Sequence, residues 1–128
     1  MYIIPLIYLF LSSQINENDL IITARLDTIT VTPHCGTFYW GATAKYTDIT
    51  ILQGQYDYLS IFVIHGCPEL ARSADDGTLQ KFKIGEYHRL VLTKENVHKI
   101  ENIVSFDSSQ LSITDSLTFF SRRVDLFK

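Results

Sequence analysis

The chain has 128 residues, of which 46% are hydrophobic and 12% aromatic, and its formal net charge is −3. A chain of this length fits one domain, and its apolar content is sufficient for a buried core, so the composition excludes an intrinsically disordered protein. Arg122 and Arg123 form the only adjacent pair of Lys or Arg side chains. Because nucleic-acid-binding proteins ordinarily carry a basic stripe, we expect no nucleic acid among the partners.

Residues 1–13 carry no charged side chain and are almost wholly apolar. Their length matches the apolar segment of a secretory signal peptide, and Ser12 and Ser13 supply small residues near a cleavage point. The segment is too short to cross a bilayer, which requires about 20 apolar residues. It lacks the basic residues that begin most signal peptides, so a buried first strand is the alternative. We predict a signal peptide at residues 1–13 and a single mature domain at residues 14–128, secreted or located in the periplasm or cell envelope, without a stable membrane span.

Two long strands with an internal change of phase are the strongest indication of the fold. In residues 20–31 and again in residues 38–51, apolar side chains alternate on even positions and then on odd positions. The change follows Leu26 in the first segment and falls at Thr47 and Asp48 in the second. Such a change requires a bulge or bend, and two consecutive bent strands predict a small coiled barrel. The apolar residues concerned are Ile22, Ala24, Leu26, Ile29 and Val31 in the first segment and Phe38, Trp40, Ala42, Ala44, Tyr46, Ile49 and Ile51 in the second.

The rest of the chain predicts further strands and little helix. Residues 69–78 are polar and irregular, with room for one short helical turn. Thr114 or Asp115 can cap a short helix that continues through Phe120. We therefore predict a mainly β domain, a small five-stranded barrel with one or two short helices. The three remaining strands are predicted at residues 58–64, 87–92 and 100–106.

Cys35 and Cys67 are the only two cysteines, and each lies at the end of an apolar run with a histidine close by. An even number of cysteines in an exported chain is typical of a disulfide. A Cys35–Cys67 bond would close a loop of about 33 residues and stabilise the fold by about 3 to 4 kcal/mol in the chain-entropy model. Buried free cysteines are the simplest alternative.

Two functional alternatives use the same cysteines. With His34 and His65 they could form a two-Cys, two-His zinc-type site, although adjacent side chains of an extended chain point to opposite faces, which disfavours convergence. A thiol enzyme or thiol-redox protein could instead pair Cys67 with His34, or Cys35 with His65, with Glu69 or Asp57 orienting the base.

The remaining candidate residues are weaker. His88 and His98 stand alone in sequence and are expected to be surface or satisfied core histidines. Asp75 and Asp76 lack the alternation of oxygen ligands typical of calcium loops, so we interpret them as part of a solvated turn.

The aromatic residues suggest a recognition face. Phe38 and Trp40 are expected in the core. Tyr39, Tyr56 and Tyr58 are the candidates for an exposed surface that contacts another protein, because tyrosine combines an apolar ring with a polar hydroxyl.

The order of these features resembles the netrin-like module, the OB-type barrel found in tissue inhibitors of metalloproteinases and in complement C-terminal domains. The resemblance covers residues 20–92 and depends on Ile-Leu-Gln-Gly at residues 51–54, on Cys67, and on Phe-x-Ile-Gly-x-Tyr at residues 82–87. It implies an OB-like barrel. Inhibitory members carry several disulfides and chelate zinc through an N-terminal cysteine. The first cysteine here is Cys35, so that activity has no residue to carry it.

The segment His-Gly-Cys-Pro-Glu, residues 65–69, also resembles a stretch of uncharacterised bacterial exported proteins. Taken together, these observations predict an exported, non-enzymatic binding or accessory module that uses no cofactor and recognises another protein. The small Cys/His-dependent enzyme and the transition-metal-binding protein remain the alternatives.

Overall fold

A computed structural model of the chain describes residues 17–106 and 117–127, which contain six strands and one 3-10 turn at Ala74–Asp76. The predicted signal peptide and the predicted helix caps Thr114 and Asp115 lie outside the described residues. The strands are β1 (Leu20–Ile29), β2 (Trp40–Gln53), β3 (Ile61–Gly66), β4 (Tyr87–Thr93), β5 (Asn102–Val104) and β6 (Thr118–Phe127).

Five of the strands close into a barrel. The hydrogen-bonded order is β1-β4-β6-β3-β2, and the pairing of β1 with β2 completes the circle. Within this barrel β3 and β6 run parallel and the other neighbours run antiparallel. Strand β5 is an addition outside the circle and pairs in parallel with the start of β2. The predicted mainly β, five-stranded OB-like barrel is thus confirmed.

Bulges in the first two strands occur where the apolar pattern changes phase. Between Leu26 and Thr28 the register gains one residue on β1. Between Thr47 and Thr50 it gains one on β2, where Asp48 adopts a positive φ of 53°. A bulge increases local twist and bends the strand, which allows two long strands to wrap around a narrow barrel. The predicted bends are therefore confirmed.

Three local expectations are wrong. The fifth barrel strand is not residues 100–106, of which only Asn102–Val104 form the short outer strand. It is Thr118–Phe127, where the sequence favoured a short helix through Phe120. Pairing with both β3 and β4 supplies hydrogen bonds and burial that outweigh the local helical preference. Phe38 lies ahead of β2 and is 53% exposed, so it does not belong to the core.

Inward-facing side chains of the barrel form one main core. On β1 the core members are the alternate residues Leu20, Ile22, Ala24 and Leu26, which follow the period of two of a strand, while Ile21 and Thr23 are buried on its other face. Each fully buried aliphatic side chain contributes about 1.5 to 3 kcal/mol of transfer free energy. The fully buried members include Ile22, Ala24, Leu26, Ala44, Tyr46, Ile61, Val63, Leu90 and Leu92.

The predicted disulfide is present. Cys35 and Cys67 are bonded, with their Cα atoms 5.6 Å apart. The Cys67 amide donates to the carbonyl of Trp40 at 2.8 Å, and the Cys35 amide donates to the carboxylate of Glu69 at 2.8 Å. The bond thus fastens the segment between β1 and β2 to the end of β3.

Strands β3 and β6 separate after three paired residues, and the loop between β3 and β4 fills the gap. The amides of Thr78 and Leu79 donate to the Val124 carbonyl of β6 at 3.1 and 3.2 Å. Gly77 has a φ of 112°, and a Cβ at this position would lie 2.0 Å from the same carbonyl oxygen. A glycine is required here by both the backbone conformation and the space available.

Candidate functional site

A polar cluster lies inside the barrel. The hydroxyl of Tyr46 is 3.0 Å from His65 Nε2 and 2.8 Å from His88 Nδ1. His65 Nδ1 lies 2.9 Å from the hydroxyl of Ser121. The three rings are fully buried, and they reach each other because β2, β3 and β4 each direct one polar side chain inward. We call these four residues the interior cluster.

One buried ring nitrogen of the interior cluster has no hydrogen-bond partner among the described residues. A tyrosine hydroxyl donates one hydrogen and accepts others, so it can donate to one imidazole and accept from the other. In either arrangement His88 Nε2 is buried without a partner in the described part of the chain. Buried polar atoms are normally satisfied, and an unpaired one costs about 1 to 3 kcal/mol.

Burial keeps both interior histidines neutral. It lowers the pKa of His88 to about 4. It also lowers the pKa of His65 well below the ordinary value, with further contributions from the charge of Arg72 and from His88. Burial raises the pKa of Tyr46 well above its usual value. The two neutral imidazoles are fully buried and are connected through the Tyr46 hydroxyl, so the interior cluster links strands β2, β3 and β4.

Phe82 and Arg72 cover the interior cluster on the side of the β3–β4 loop. The ring of Phe82 lies 4.6 Å from the His65 ring and 5.8 Å from the His88 ring, centroid to centroid. The guanidinium of Arg72 lies over the Phe82 ring, 5.0 Å from the ring centroid. Contacts therefore run without interruption from the interior cluster outward to Arg72.

Arg72 lines a cleft of about 220 Å³ beside the disulfide, between the β3–β4 loop and β6. We call it the disulfide-end cleft. Its walls include the backbone of Gly66 and Cys67 and the exposed side chain of Leu70. This volume is smaller than that of most drug-sized ligand sites and suits a side chain or a small polar group. The polar and charged residues along it are Tyr39, Arg72, Asp76, His98, Arg122 and Arg123.

Two of the three cleft arginines have their own carboxylates. Arg122 Nε lies 3.2 Å from the buried carboxylate of Asp19. Arg123 Nε lies 2.8 Å from Asp125. Although burial opposes it, the hydrogen bonds from Arg123 and Thr78 hold the pKa of Asp125 below its ordinary value. Arg72 is therefore the one cleft arginine that has no carboxylate of the described residues within 4.0 Å.

The structure separates the three tyrosines predicted to share a recognition face. Tyr39 lines the disulfide-end cleft, and its ring approaches Gly66 at the end of β3. Tyr56 and Tyr58 contact each other at 5.6 Å between ring centroids, and Tyr56 donates to the carbonyl of Ser60 ahead of β3. The six residues of β3 separate Tyr39 from the pair of Tyr56 and Tyr58. At about 3.3 Å per residue, this strand holds them roughly 20 Å apart.

The four residues considered for a metal or thiol site do not converge. Cys35 and Cys67 are bonded to each other, so neither sulfur is a free thiol. His34 is exposed, whereas both ring nitrogens of His65 are engaged inside the barrel. Within the described ranges, no group of three His, Cys, Asp or Glu side chains is arranged to hold a metal ion.

Other predicted roles have mixed outcomes. His98 is half-buried at the cleft, and Asp76 is exposed in the 3-10 turn, which agrees with a solvated turn. His88 is a core histidine but is not fully satisfied. Sequence patterns did not indicate the role of Arg72, because it lies in an irregular polar loop without periodicity. The only available signal was its position five residues after Cys67.

Comparison with protein-family models, with curated proteins and with solved structures finds no match for this chain. In the part of the chain that the structure describes, no helix has the length and apolar character needed to span a bilayer.

Proposed function

We propose that this protein is an exported, non-enzymatic binding module of the netrin-like type, which captures a protein partner at the disulfide-end cleft. The observation that carries the proposal is the cleft itself, about 220 Å³ in volume and bordered by Cys67 of the disulfide. Covalent fastening of a cleft wall reduces the conformational entropy that a binding partner would otherwise have to overcome.

The side chains around the cleft support recognition of a protein. Tyr39 is 36% exposed and Leu70 is 55% exposed. Tyrosine and arginine are typical of the residues that contribute most to protein interfaces. The partner would be recognised by one inserted polar group and by apolar contacts around it.

Export is supported by the disulfide and by the apolar segment at residues 1–13. Disulfides form and persist in oxidising compartments and are rare in the reducing cytosol. The bond has a structural location, since it connects a loop to the end of a barrel strand.

A non-catalytic role is supported by the engagement of the groups that could perform chemistry. Both sulfurs are bonded to each other. The imidazoles of His65 and His88 are buried inside the barrel, where both hydrogen-bond to Tyr46 and His65 also hydrogen-bonds to Ser121. The cysteine–histidine pair that nucleophilic thiol catalysis requires is therefore not formed by these residues.

The first test locates the full-length chain in its source cells. Cell fractions are alkylated before and after reduction and analysed by intact mass. We expect the protein in the exported fraction, shorter by the signal peptide and resistant to alkylation until it is reduced. A cytosolic chain with two alkylatable cysteines would contradict the export proposal.

The second test maps the binding surface. A photo-crosslinking amino acid replaces Leu70 at the cleft or, as a matched control, Leu59 at the other end of β3, which is 92% exposed. We expect one defined protein adduct from position 70 and none from position 59, and the identified partner should bind the purified module. Equal labelling at both positions, or no adduct at position 70, would overturn the assignment of the cleft.

A further inference from the structure

Arg72 is held rigidly by the backbone of its own loop. Its Nη1 donates to the carbonyls of Cys67 at 3.1 Å and Leu70 at 3.0 Å, and its Nη2 donates to the carbonyl of Gly66 at 2.7 Å. The guanidinium face stacks on Phe82. The side chain is half-buried and fixed in one orientation before any ligand arrives.

The positive charge of Arg72 has no ion-pair partner among the residues that the structure describes. In residues 17–106 and 117–127, no carboxylate oxygen lies within 4.0 Å of its nitrogens, whereas Arg122 and Arg123 each have one. Backbone carbonyls carry only partial charges, and moving a full charge out of water is costly without a counter-charge. Burial accordingly lowers the pKa of Arg72, and the exposed carboxylates of Asp76 and Glu69 oppose this through space.

Two N–H hydrogens of Arg72 remain available. A guanidinium has five, and the three carbonyls engage three of them. Those left are the Nε hydrogen and one hydrogen of Nη2, which have no partner in the described part of the chain. Nε and a terminal nitrogen are neighbouring donors that match the two oxygens of a carboxylate.

We infer that the disulfide-end cleft binds a carboxylate group of the partner protein, with Arg72 as its primary ligand. The inference rests on the proposed binding function and names what the cleft recognises. A monoanion suits the site, because the carboxylate of Asp76 lies at the cleft and because Arg122 and Arg123 are already paired with Asp19 and with Asp125, which Arg123 shares with Arg89. The carboxylate can come from an acidic side chain or from a chain terminus, and both have the same chemistry at Arg72.

The test uses three pentapeptides of Gly and Ala with one central variable residue, added to the oxidised full chain. The first has a central Glu with both ends blocked, the second a central Gln with both ends blocked, and the third a central Gln with a free C-terminal carboxylate. Binding is followed by NMR through the Nε–H signal of Arg72 and the backbone amides around the cleft. A single carboxylate contact predicts a Kd on the order of 1 mM to 10 mM.

We expect the Glu peptide or the free-terminus peptide to bind at least tenfold more tightly than the fully blocked Gln peptide. Tighter binding of the Glu peptide identifies a side-chain carboxylate, and tighter binding of the free-terminus peptide identifies a chain terminus. Equal binding of all three peptides would overturn the inference. So would the absence of any shift at Arg72, or a preference for inorganic phosphate over both carboxylates.

Variants separate recognition from folding. Arg72→Lys keeps the charge but loses the two neighbouring donors, and we expect at least fivefold weaker binding. Since that change can also disturb the loop, Ala71→Glu provides an independent test. This exposed cleft position would receive a competing carboxylate and should abolish peptide binding. Gln55→Glu adds the same charge in the turn after β2, away from the cleft, and should leave the affinity unchanged.

The outcomes distinguish this inference from the function on which it rests. A defined adduct at position 70 in cells together with no carboxylate preference would refute the inference and leave the binding module standing. Carboxylate binding at Arg72 in a chain that is cytosolic and has no partner would refute the proposed function instead.

Discussion

Acidification should destabilise the fold through His88, and replacement of His88 by Gln should remove that part of the pH dependence. The imidazole is buried inside the barrel and contacts the Tyr46 hydroxyl, so protonation places a charge where no carboxylate compensates it. In the unfolded chain the same imidazole is exposed and protonates near pH 6.5, which is about its ordinary pKa. His88→Gln keeps a group that can hydrogen-bond to Tyr46 but cannot titrate.

The magnitude follows from the difference in pKa between the two states. The folded-state pKa of His88 is about 4. A depressed folded-state value means that stability is complete above the unfolded-state pKa and is lost as the pH falls towards the folded-state pKa. Between about pH 7.5 and pH 5 the loss from this one group is about 2 kcal/mol, and it reaches about 3 kcal/mol near pH 4. The lowered pKa of His65 adds a loss of the same sign in both proteins.

The assay is urea unfolding of the oxidised protein at a series of pH values, with the free energy of unfolding extrapolated to water. The quantity compared is the change in the free energy of unfolding between about pH 7.5 and pH 5. A difference in overall stability between the variant and the wild type cancels in this comparison. We expect the wild type to lose about 2 kcal/mol more than His88→Gln. His34→Gln, which removes an exposed imidazole instead, is the control for loss of a histidine. Identical pH dependence of wild type and His88→Gln would refute the reasoning.

Three further changes test the disulfide, the interior cluster and the packing of the β3–β4 loop, all by urea unfolding. Cys35→Ser with Cys67→Ser should lower the free energy of unfolding by about 3 to 4 kcal/mol, and a loss under about 1 kcal/mol would contradict a structural disulfide. Tyr46→Phe should cost about 2 to 4 kcal/mol because two buried imidazoles lose their shared hydroxyl, whereas an unchanged midpoint would show that the hydroxyl is dispensable. Gly85→Ala should lower the free energy of unfolding by about 1 to 2 kcal/mol, because of the positive φ alone. Gly77→Ala should lower it clearly more, since the added Cβ would also collide with the β6 backbone. Equal effects of the two changes would contradict the packing of this loop.

The strand pattern of the sequence was sufficient to predict the barrel, because strand alternation is a local property. The phase changes near Leu26 and Asp48 specified bulges that the structure contains. A local pattern does not identify the partner of a strand, however. Residues 100–106 and residues 118–127 both offered apolar segments, and only pairing with β3 and β4 decided that the second completes the barrel.

The candidate site was predicted less well, because its parts are distant in sequence. Adjacent cysteine and histidine signals indicated the disulfide but suggested a common site for His34 and His65, which the structure places outside and inside the barrel. Of the three tyrosines predicted for one recognition face, Tyr39 lines the disulfide-end cleft, while Tyr56 and Tyr58 lie at the other end of β3.

By itself the sequence determined the strand-rich fold, the bends of the first two strands and the cysteine pair, since each depends on residue type and short-range periodicity. Only the tertiary structure decided which strand closes the barrel, which histidines are buried and neutral, and that Arg72 lines a cleft with no carboxylate of the described residues within ion-pair distance. Those properties depend on which side chains from separate segments share the same few ångströms, and burial and unpaired charge arise only when the segments are packed together.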